Sequence, residues 1–584
     1  MNLTPQQKAV GKENFCAAIG SEETRRDFLK QSVMAGLVSG GGLGAFYFGY
    51  GKSVAKPLRV AVFGTGDEGS VLIGALNPAF IEVVAIADIR PFNVYRAFHG
   101  DASTEAMLKV RPGLMAKYGW KTEDEARRHV KVYRHYEDLL GAEKDIEAVI
   151  IALPLHLHAP AAIAAMRAGK HVLTEKLMAH TVHECKDMAR VVKQTGKILA
   201  VGHQRHYNIL YDDAVDTIRR GLIGEVHHIR AQWHRGGLPG HDSWSMPLPP
   251  GAKPGDKSFE ILAKRLVELE KDVEAAKKAA LPSEIMLLER RIAQQRAQIA
   301  DEVLVKGGEQ GNQTYKSAKE YGYEDLEVKD ENGVVRYTRP AIEELIRWRL
   351  WDRTGAGRMA ELGSHQLDAA SIFIAAMHNG QKKHPLNVVA VGDRPLFGYD
   401  RQCEDHVYCI LEFPAPGYDP KDTLGSQKKI AVVYSSIDGN GFGGYGETVF
   451  GTKGTLLLEK EQETMLFKDA DTESKVGVSK GKGGPVLDTQ ASGVQSAAAI
   501  GALATQNVSK GYTEELEHWA WCIRNPSPEN QPRCRAEVAM ADAVIALTTN
   551  MAGRKGMRVE FKPEWFDVNS DETPEGVAPS VKAV

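Results

Sequence analysis

The stretch LRVAVFGTGDEG, residues 58–69, decides the fold. Leu58–Phe63 is a short apolar run of the kind that forms a buried strand. It runs straight into Gly64-Thr65-Gly66-Asp67-Glu68-Gly69, and Ser70–Leu76 continues at helical spacing. A second strand, Ile81–Ala87, ends at Asp88. A G-x-G-x-x-G turn alone is a weak signal. A strand before it, a helix after it and an acid about twenty residues on make it a dinucleotide fingerprint. Gly64 allows the tight turn, Gly66 lets backbone N–H groups approach a pyrophosphate, and Gly69 permits close helix–strand packing. Asp67 and Glu68 stand between them and join the expected cofactor contacts. Asp88 would accept from the adenine ribose hydroxyls and repel a 2′-phosphate, which favours NAD over NADP. Arg90 keeps NADP open, because it can stack on adenine or pair with such a phosphate.

Downstream, Ala148–Leu153, His171–Thr174 and Lys197–Gly202 read as buried strands, and Ala159–Ala168 and Thr181–Thr195 as helices. This alternation predicts an α/β unit with a doubly wound parallel sheet. After Arg205 the texture changes. Val226–Trp233, Val388–Val391, His406–Phe413, Lys429–Ser435, Gly446–Phe450 and Thr455–Leu458 alternate like half-buried strands. Pro340–Leu350, His365–Ala376, Thr513–Ile523 and Arg535–Met551 read as helices. Together they predict a C-terminal α+β domain with a large, mostly antiparallel sheet. Residues 251–339 interrupt it. Phe259, Leu262, Leu266, Leu269 and Val273, then Ile285, Leu288, Ile292 and Ile299, recur at helical spacing and predict an αα-hairpin. That insertion is either surface decoration or a lid or subunit clamp. The expected division is a leader over 1–55, a nucleotide domain over 56–205, a second domain over 206–562 and a tail over 563–584. The tail is acidic and contains proline, so it is expected to be loosely ordered.

The bulk numbers narrow the function. With 584 residues, 26% charged and a net charge of -3, the chain has no basic excess for a nucleic-acid partner. Six cysteines, none spaced as CxxC, give neither a disulfide framework nor a zinc signature, so no metal is expected. Cys403 and Cys409 read as buried thiols. Thr24-Arg25-Arg26-Asp27-Phe28-Leu29-Lys30, followed by the glycine-rich apolar stretch Ser32–Gly51, resembles a twin-arginine export signal. Ser53 and Ala55 would mark cleavage before Lys56. The expectation is a periplasmic protein that meets the membrane only in transit through the twin-arginine machinery. That route carries folded proteins, so the cofactor should already be bound, and tightly. The bland alternative is a basic, unstructured arm.

Two further stretches lie at strand ends: ALPLHLHAP (152–160) and LTEKLMAH (173–180). Pro154 stops one strand, His158 opens the next helix, and Glu175-Lys176 follows another strand. With Glu361-Leu-Gly363-Ser-His365-Gln-Leu-Asp368 and Gly451-Thr-Lys-Gly-Thr-Leu456, these motifs resemble the Gfo/Idh/MocA (glucose–fructose oxidoreductase/inositol dehydrogenase) family over about residues 57–250 and 340–560. The resemblance implies an N-terminal Rossmann domain and NAD(P)-dependent oxidation of a secondary hydroxyl on a sugar, glycoside or cyclic polyol. It makes Lys176 and His365 the catalytic pair, with His365 as general base, Lys176 on the developing alkoxide and Glu175 setting the lysine. Glu361 would orient the histidine or line the pocket. Pro154, His158, Glu175, Lys176 and Gln204 would contact the cofactor. Arg205, Trp233, Arg235, Glu361 and His365 would contact substrate, with Trp348, Trp351 and Arg353 nearby. Two departures stand out. Leu177 replaces the family's proline, where a cis bond would cost about 2.5–4 kcal/mol, and Glu361 replaces aspartate. An NAD-dependent glycosidase is a rival reading, although the glycosidase branch alters the lysine kept here. A non-catalytic sugar-binding protein that retains NAD is another. An open sheet face that needs covering makes a homo-oligomer the expectation.

Overall fold

The computed structural model describes residues 3–20, 42–468, 477–481, 484–488 and 510–583, apart from 254, 256 and 312. Arg25 and Arg26 lie outside the described residues. The first sheet holds β1 (Leu58–Phe63), β2 (Ile81–Ala87), β3 (Lys131–Tyr133), β4 (Ala148–Ile151), β5 (His171–Glu175) and β6 (Leu199–Gly202). They are parallel throughout, in the order β3-β2-β1-β4-β5-β6. Helices cover both faces, which is why these strands are apolar without alternation. The chain leaves β1 toward β2 and β3, then returns to β4 on the other side. That reversal opens a crevice at the strand ends between β1 and β4. β3 was not anticipated, because three residues are too few to show a period.

The second sheet holds β7 (Val226–His234), β8 (Asn387–Asp393), β9 (His406–Pro414), β10 (Lys429–Ile437), β11 (Tyr445–Gly451), β12 (Gly454–Glu459), β13 (Glu463–Lys468) and β14 (Arg558–Glu560). Its order is β13-β12-β11-β7-β10-β9-β8-β14. All neighbours are antiparallel except β7 and β10. The helices Ser364–Met377 and Ala536–Lys555 pack on one face, burying Phe373, Val388, Val432, Tyr434 and Val544. The alternation aims Val389, Val391, Tyr408 and Ile410 out of the other face, where they are exposed.

The insertion is the expected hairpin, Lys257–Lys278 and Pro282–Ala300. It is docked rather than decorative. Gln294 accepts from the Ala102 backbone N–H (2.7 Å) and donates to Asp101 (2.9 Å), across to the first domain. The described ends of the leader are likewise built into the body. Pro5–Gly20 packs along β13, burying Phe15, and Gly42–Phe48 packs on the Tyr512–Arg524 helix, burying Ala45 and Phe48.

The tail corrects the expectation of loose order. Lys186 donates to the carbonyls of Glu564, Ser570 and Glu572. Arg190 donates to the carbonyls of Val568 (2.8 Å), Val581 (2.7 Å) and Ser570 (3.0 Å) and to Asp571 (2.8 Å). Two cations on one helix thus hold the tail by its backbone, which composition cannot reveal. Hydrogen bonds to a charged donor are worth about 1.5–3 kcal/mol each. Arg190→Ala should therefore cost about 3 kcal/mol or more in urea unfolding and expose the chain beyond Lys562 to proteolysis. An unchanged midpoint would show that the tail is held by something else.

Candidate active site

The ends of β1, β2, β4, β5 and β6 meet the second domain around a cavity of ≈ 530 Å³. At Gly64, φ is +83° and an added Cβ would stand 2.4 Å from the Ala152 carbonyl oxygen, so only glycine fits. At Gly69 a Cβ would stand 2.2 Å from the Gly64 oxygen. Gly69 is absent from the cavity wall and sets how closely helix and turn pack. Gly66 faces the cavity, where a Cβ would meet only the Asn93 amide, at 3.6 Å. The helix Asp67–Ala75 opens there, and backbone N–H groups at a helix N-terminus suit a pyrophosphate. Asp67 does not repel it outright. Burial would raise its pKa, but Arg96 (2.7 Å) and Arg111 (3.6 Å) pull it below the usual carboxylate range and share its charge.

Asp88 is held rigidly at the ribose position. It accepts from the Thr65 backbone N–H (2.8 Å), the Arg90 backbone N–H (2.9 Å) and the Asn93 amide. Arg90 is not free for a phosphate. Its guanidinium donates to Asp301 of the insertion through Nε (2.9 Å) and Nη2 (2.8 Å), and Asp301 also accepts from the Phe92 N–H. Tyr321 and Tyr323 of the insertion line the same end.

At the other end, Pro154, His158, Glu175, Lys176 and Gln204 all reach the wall, as expected. The Lys176–Leu177 peptide is cis, with no proline present. His158 is buried and bridges the carbonyls of Leu177 (2.8 Å) and Leu153 (2.9 Å), bracing the residue after the lysine. Burial lowers its pKa to about 4 against the pull of the two carbonyls; the neutral ring has one N–H and donates to one of them at a time. Glu175 does not hold the lysine ammonium. Its carboxylate accepts from the Lys176 backbone N–H (3.1 Å), and burial, then neighbouring Glu68, push it upward. Glu361 holds the lysine instead. Lys176 Nζ donates to the Glu361 carbonyl oxygen (2.7 Å) and lies 3.7 Å from its carboxylate, which also accepts from Arg349 (2.8 Å). Burial would raise Glu361, but Lys176 and Arg349 bring it down to about 2.

His365 sits one helical turn after Glu361 and faces the same cavity, 5.2 Å from the Trp233 ring between centroids. Burial, then the charges of Lys176 and Arg205, lower its pKa well below the ordinary imidazole value. Trp233 stacks on Tyr445 (4.5 Å), and Arg235 lines the wall beside it.

Arg205 is a correction. It is buried behind the wall, donating to Glu461 (2.9 Å) with Glu447 3.6 Å away, and does not reach substrate. Trp351 is buried against Arg339 and Arg353 is paired with Glu344, so of that group Trp348 alone lines the cavity. Asp368 points away from the cleft and accepts from His206 (3.0 Å), tying the loop after β6 to the histidine helix. Behind that helix, His203, Cys534 and Asp542 bring donor atoms within 4.8 Å of one another, and the Lys382 ammonium already pairs with Asp542. Cys185, Cys403, Cys409, Cys522 and Cys534 are buried free thiols, Cys403 and Cys409 as read. The sequence did not announce Arg349, Trp244, Tyr512 or Asp301. Arg349 lies in a run rich in arginine and tryptophan, where spacing does not say which side chain faces inward.

Residues 58–203 match the family model described as "Oxidoreductase family, NAD-binding Rossmann fold" (GFO_IDH_MocA). That segment thus has the NAD-binding Rossmann fold the model describes. A glycosyl hydrolase family 109 protein of Shewanella amazonensis is 30% identical over 224 residues, 36% of this chain and 45% of its own. One from Stenotrophomonas maltophilia is 31% identical over 177 residues, 30% of this chain and 36% of its own. The chain therefore spans less than half the length of these relatives. The structure of an inositol dehydrogenase homolog from Azotobacter vinelandii, complexed with NADH and myo-inositol, covers 87% of this chain and 98% of its own at 13% identity, with a TM-score of 0.51. That likeness shows a shared fold.

The Asp301 lock carries a prediction for cofactor choice. Asp301→Asn should release Arg90 toward a 2′-phosphate and shift the ratio of NAD to NADP affinity toward NADP by about tenfold, or about 1.4 kcal/mol. Fluorescence titration with both nucleotides measures it. An unchanged ratio would remove the lock from cofactor selection.

Proposed function

We propose that this chain, built on an NAD-binding domain of the Gfo/Idh/MocA kind, is an NAD-dependent oxidoreductase. It moves a hydride between the cofactor and a secondary hydroxyl of a sugar, glycoside or cyclic polyol. One observation carries the reading: Lys176 from the first domain and His365 from the second converge on one cavity, opposite the fingerprint turn. Bound NAD supplies the hydride acceptor. His365 stays neutral near physiological pH, so a ring nitrogen is ready to take the hydroxyl proton. Lys176 carries three donors and spends one on the Glu361 carbonyl. The others point the ammonium charge at the oxygen where negative charge develops. Glu361 remains ionised and acts as a positioning residue rather than an acid.

The relatives named glycosyl hydrolase family 109 favour a second reading, in which the same oxidation is transient and eases loss of a leaving group. Product analysis separates the two. Released aglycone without net NADH would establish the glycosidase. A sugar-binding protein that merely retains NAD would show neither product.

We also propose export by the twin-arginine route, from Arg25-Arg26, and a homo-oligomer. The exposed Val389, Val391, Tyr408 and Ile410 form one apolar strip across β8 and β9, suited to a second copy. A monomer by light scattering would remove the second proposal. Unaltered export of an Arg25→Lys/Arg26→Lys variant would remove the first.

His365→Asn and Lys176→Met should each lower kcat by about 10²–10⁴ while NAD affinity persists. Full activity in both would reject the site. The lowered His365 pKa places the acid limb of kcat/KM below about pH 6.5. Lys176→Met removes a neighbouring positive charge that disfavours protonation, so in that variant the limb should move to higher pH. A limb that stays in place would assign the titration to another group.

A further inference from the structure

Arg235, Arg347 and Arg349, from the second domain, line the same cavity as His365. Arg349 is spent on Glu361 (2.8 Å), and Arg347 on Glu343 (2.7 Å) and the Met246 carbonyl (2.9 Å). The arginines just behind are spent as well, Arg358 on Asp438 (2.6 Å) and Arg401 on Asp242 (2.7 Å). Arg235 differs. Among the described residues its guanidinium has no ion pair and no hydrogen-bond acceptor; Glu361 and Asp438 act on it only at longer range, and its near neighbours are the rings of Trp244 (5.2 Å) and Trp233 (5.7 Å). A guanidinium cannot shed its proton at physiological pH. Partly withdrawn from water without a counter-charge in contact, it is a costly feature to build. The cost is offset when a ligand brings the missing anion.

We propose that Arg235 receives a carboxylate of the substrate, so that the substrate is an acidic sugar, a hexuronic acid or its glycoside. This rests on the reading of the cavity as a sugar or polyol site and narrows it. The planar fork of the guanidinium matches two carboxylate oxygens. Trp233 and Trp244 line the cavity beside it and present apolar ring surface to a sugar. Trp233 neighbours both Arg235 (5.7 Å) and His365 (5.2 Å). A ring whose carboxylate sits on Arg235 therefore lies along Trp233 and presents its hydroxyls toward His365 and Lys176. Burial disfavours the protonated form of Arg235 more than the distant charges of Glu361 and Asp438 favour it, as expected for a cation with no carboxylate in contact.

The test is calorimetric titration of the NAD-loaded protein with matched pairs: D-glucuronate against D-glucose, and D-galacturonate against D-galactose. The wild type should bind at least one uronate about tenfold or more tightly than its neutral partner. Arg235→Met should erase that margin, weakening the uronate far more than its neutral partner, and leave NAD affinity in place. Equal binding within both pairs would overturn the proposal while leaving the sugar site standing, as would a margin that survives Arg235→Met. Failure of all four sugars and of myo-inositol to bind would overturn the sugar site itself, and the proposal with it.

Discussion

The structure turns on one contact, the hydrogen bond from Lys176 Nζ to the Glu361 carbonyl oxygen. The lysine stands at the end of β5 in the nucleotide domain. Glu361 stands one turn before His365 in the second domain. A largely buried ammonium needs a partner, and here that partner belongs to the other half of the molecule. The bond therefore fixes the lysine and brings the histidine helix to it. Arg349 shares the Glu361 carboxylate, so the charges close into a short chain of Lys176, Glu361 and Arg349 across the cleft. Glu361 is one methylene longer than the aspartate it replaces, and its carboxylate reaches both cations.

The other end of the cleft follows the same logic at greater sequence distance. Asp88 is oriented by the turn it belongs to, whereas Arg90 is fixed by Asp301, which the insertion delivers. The insertion thus takes part in building the nucleotide site. Its helices pack on the first domain, and Tyr321 and Tyr323 complete the wall. A hairpin that could have been ornament instead closes the adenosine side and removes a phosphate partner from it.

Much of this was legible in the sequence because local pattern carried it. Gly64, Gly66 and Gly69 announced the turn, since backbone geometry there admits little else. Lys176 and His365 were legible as strand-end and helix-start residues, through their resemblance to a family's motifs. What failed was partner assignment. Arg205 looked like a pocket residue beside Gln204, yet Glu461, remote in sequence, draws it inward. Glu175 looked like the lysine's anchor because it is adjacent, but its carboxylate accepts from the Lys176 backbone N–H while the ammonium reaches the Glu361 carbonyl, remote in sequence. The tail looked loose because its composition is polar; Lys186 and Arg190 hold backbone carbonyls, which no composition records.

The proposed roles of Lys176 and His365 require the substrate hydroxyl between them with the nicotinamide alongside, and a crystal structure with NAD and a bound sugar tests that most directly. The account predicts the reacting carbon of the ring about 3–3.5 Å from a substrate carbon whose hydroxyl lies between the Lys176 ammonium and the His365 imidazole. A nicotinamide bound away from this pair, or a sugar whose hydroxyls meet neither side chain, would contradict it.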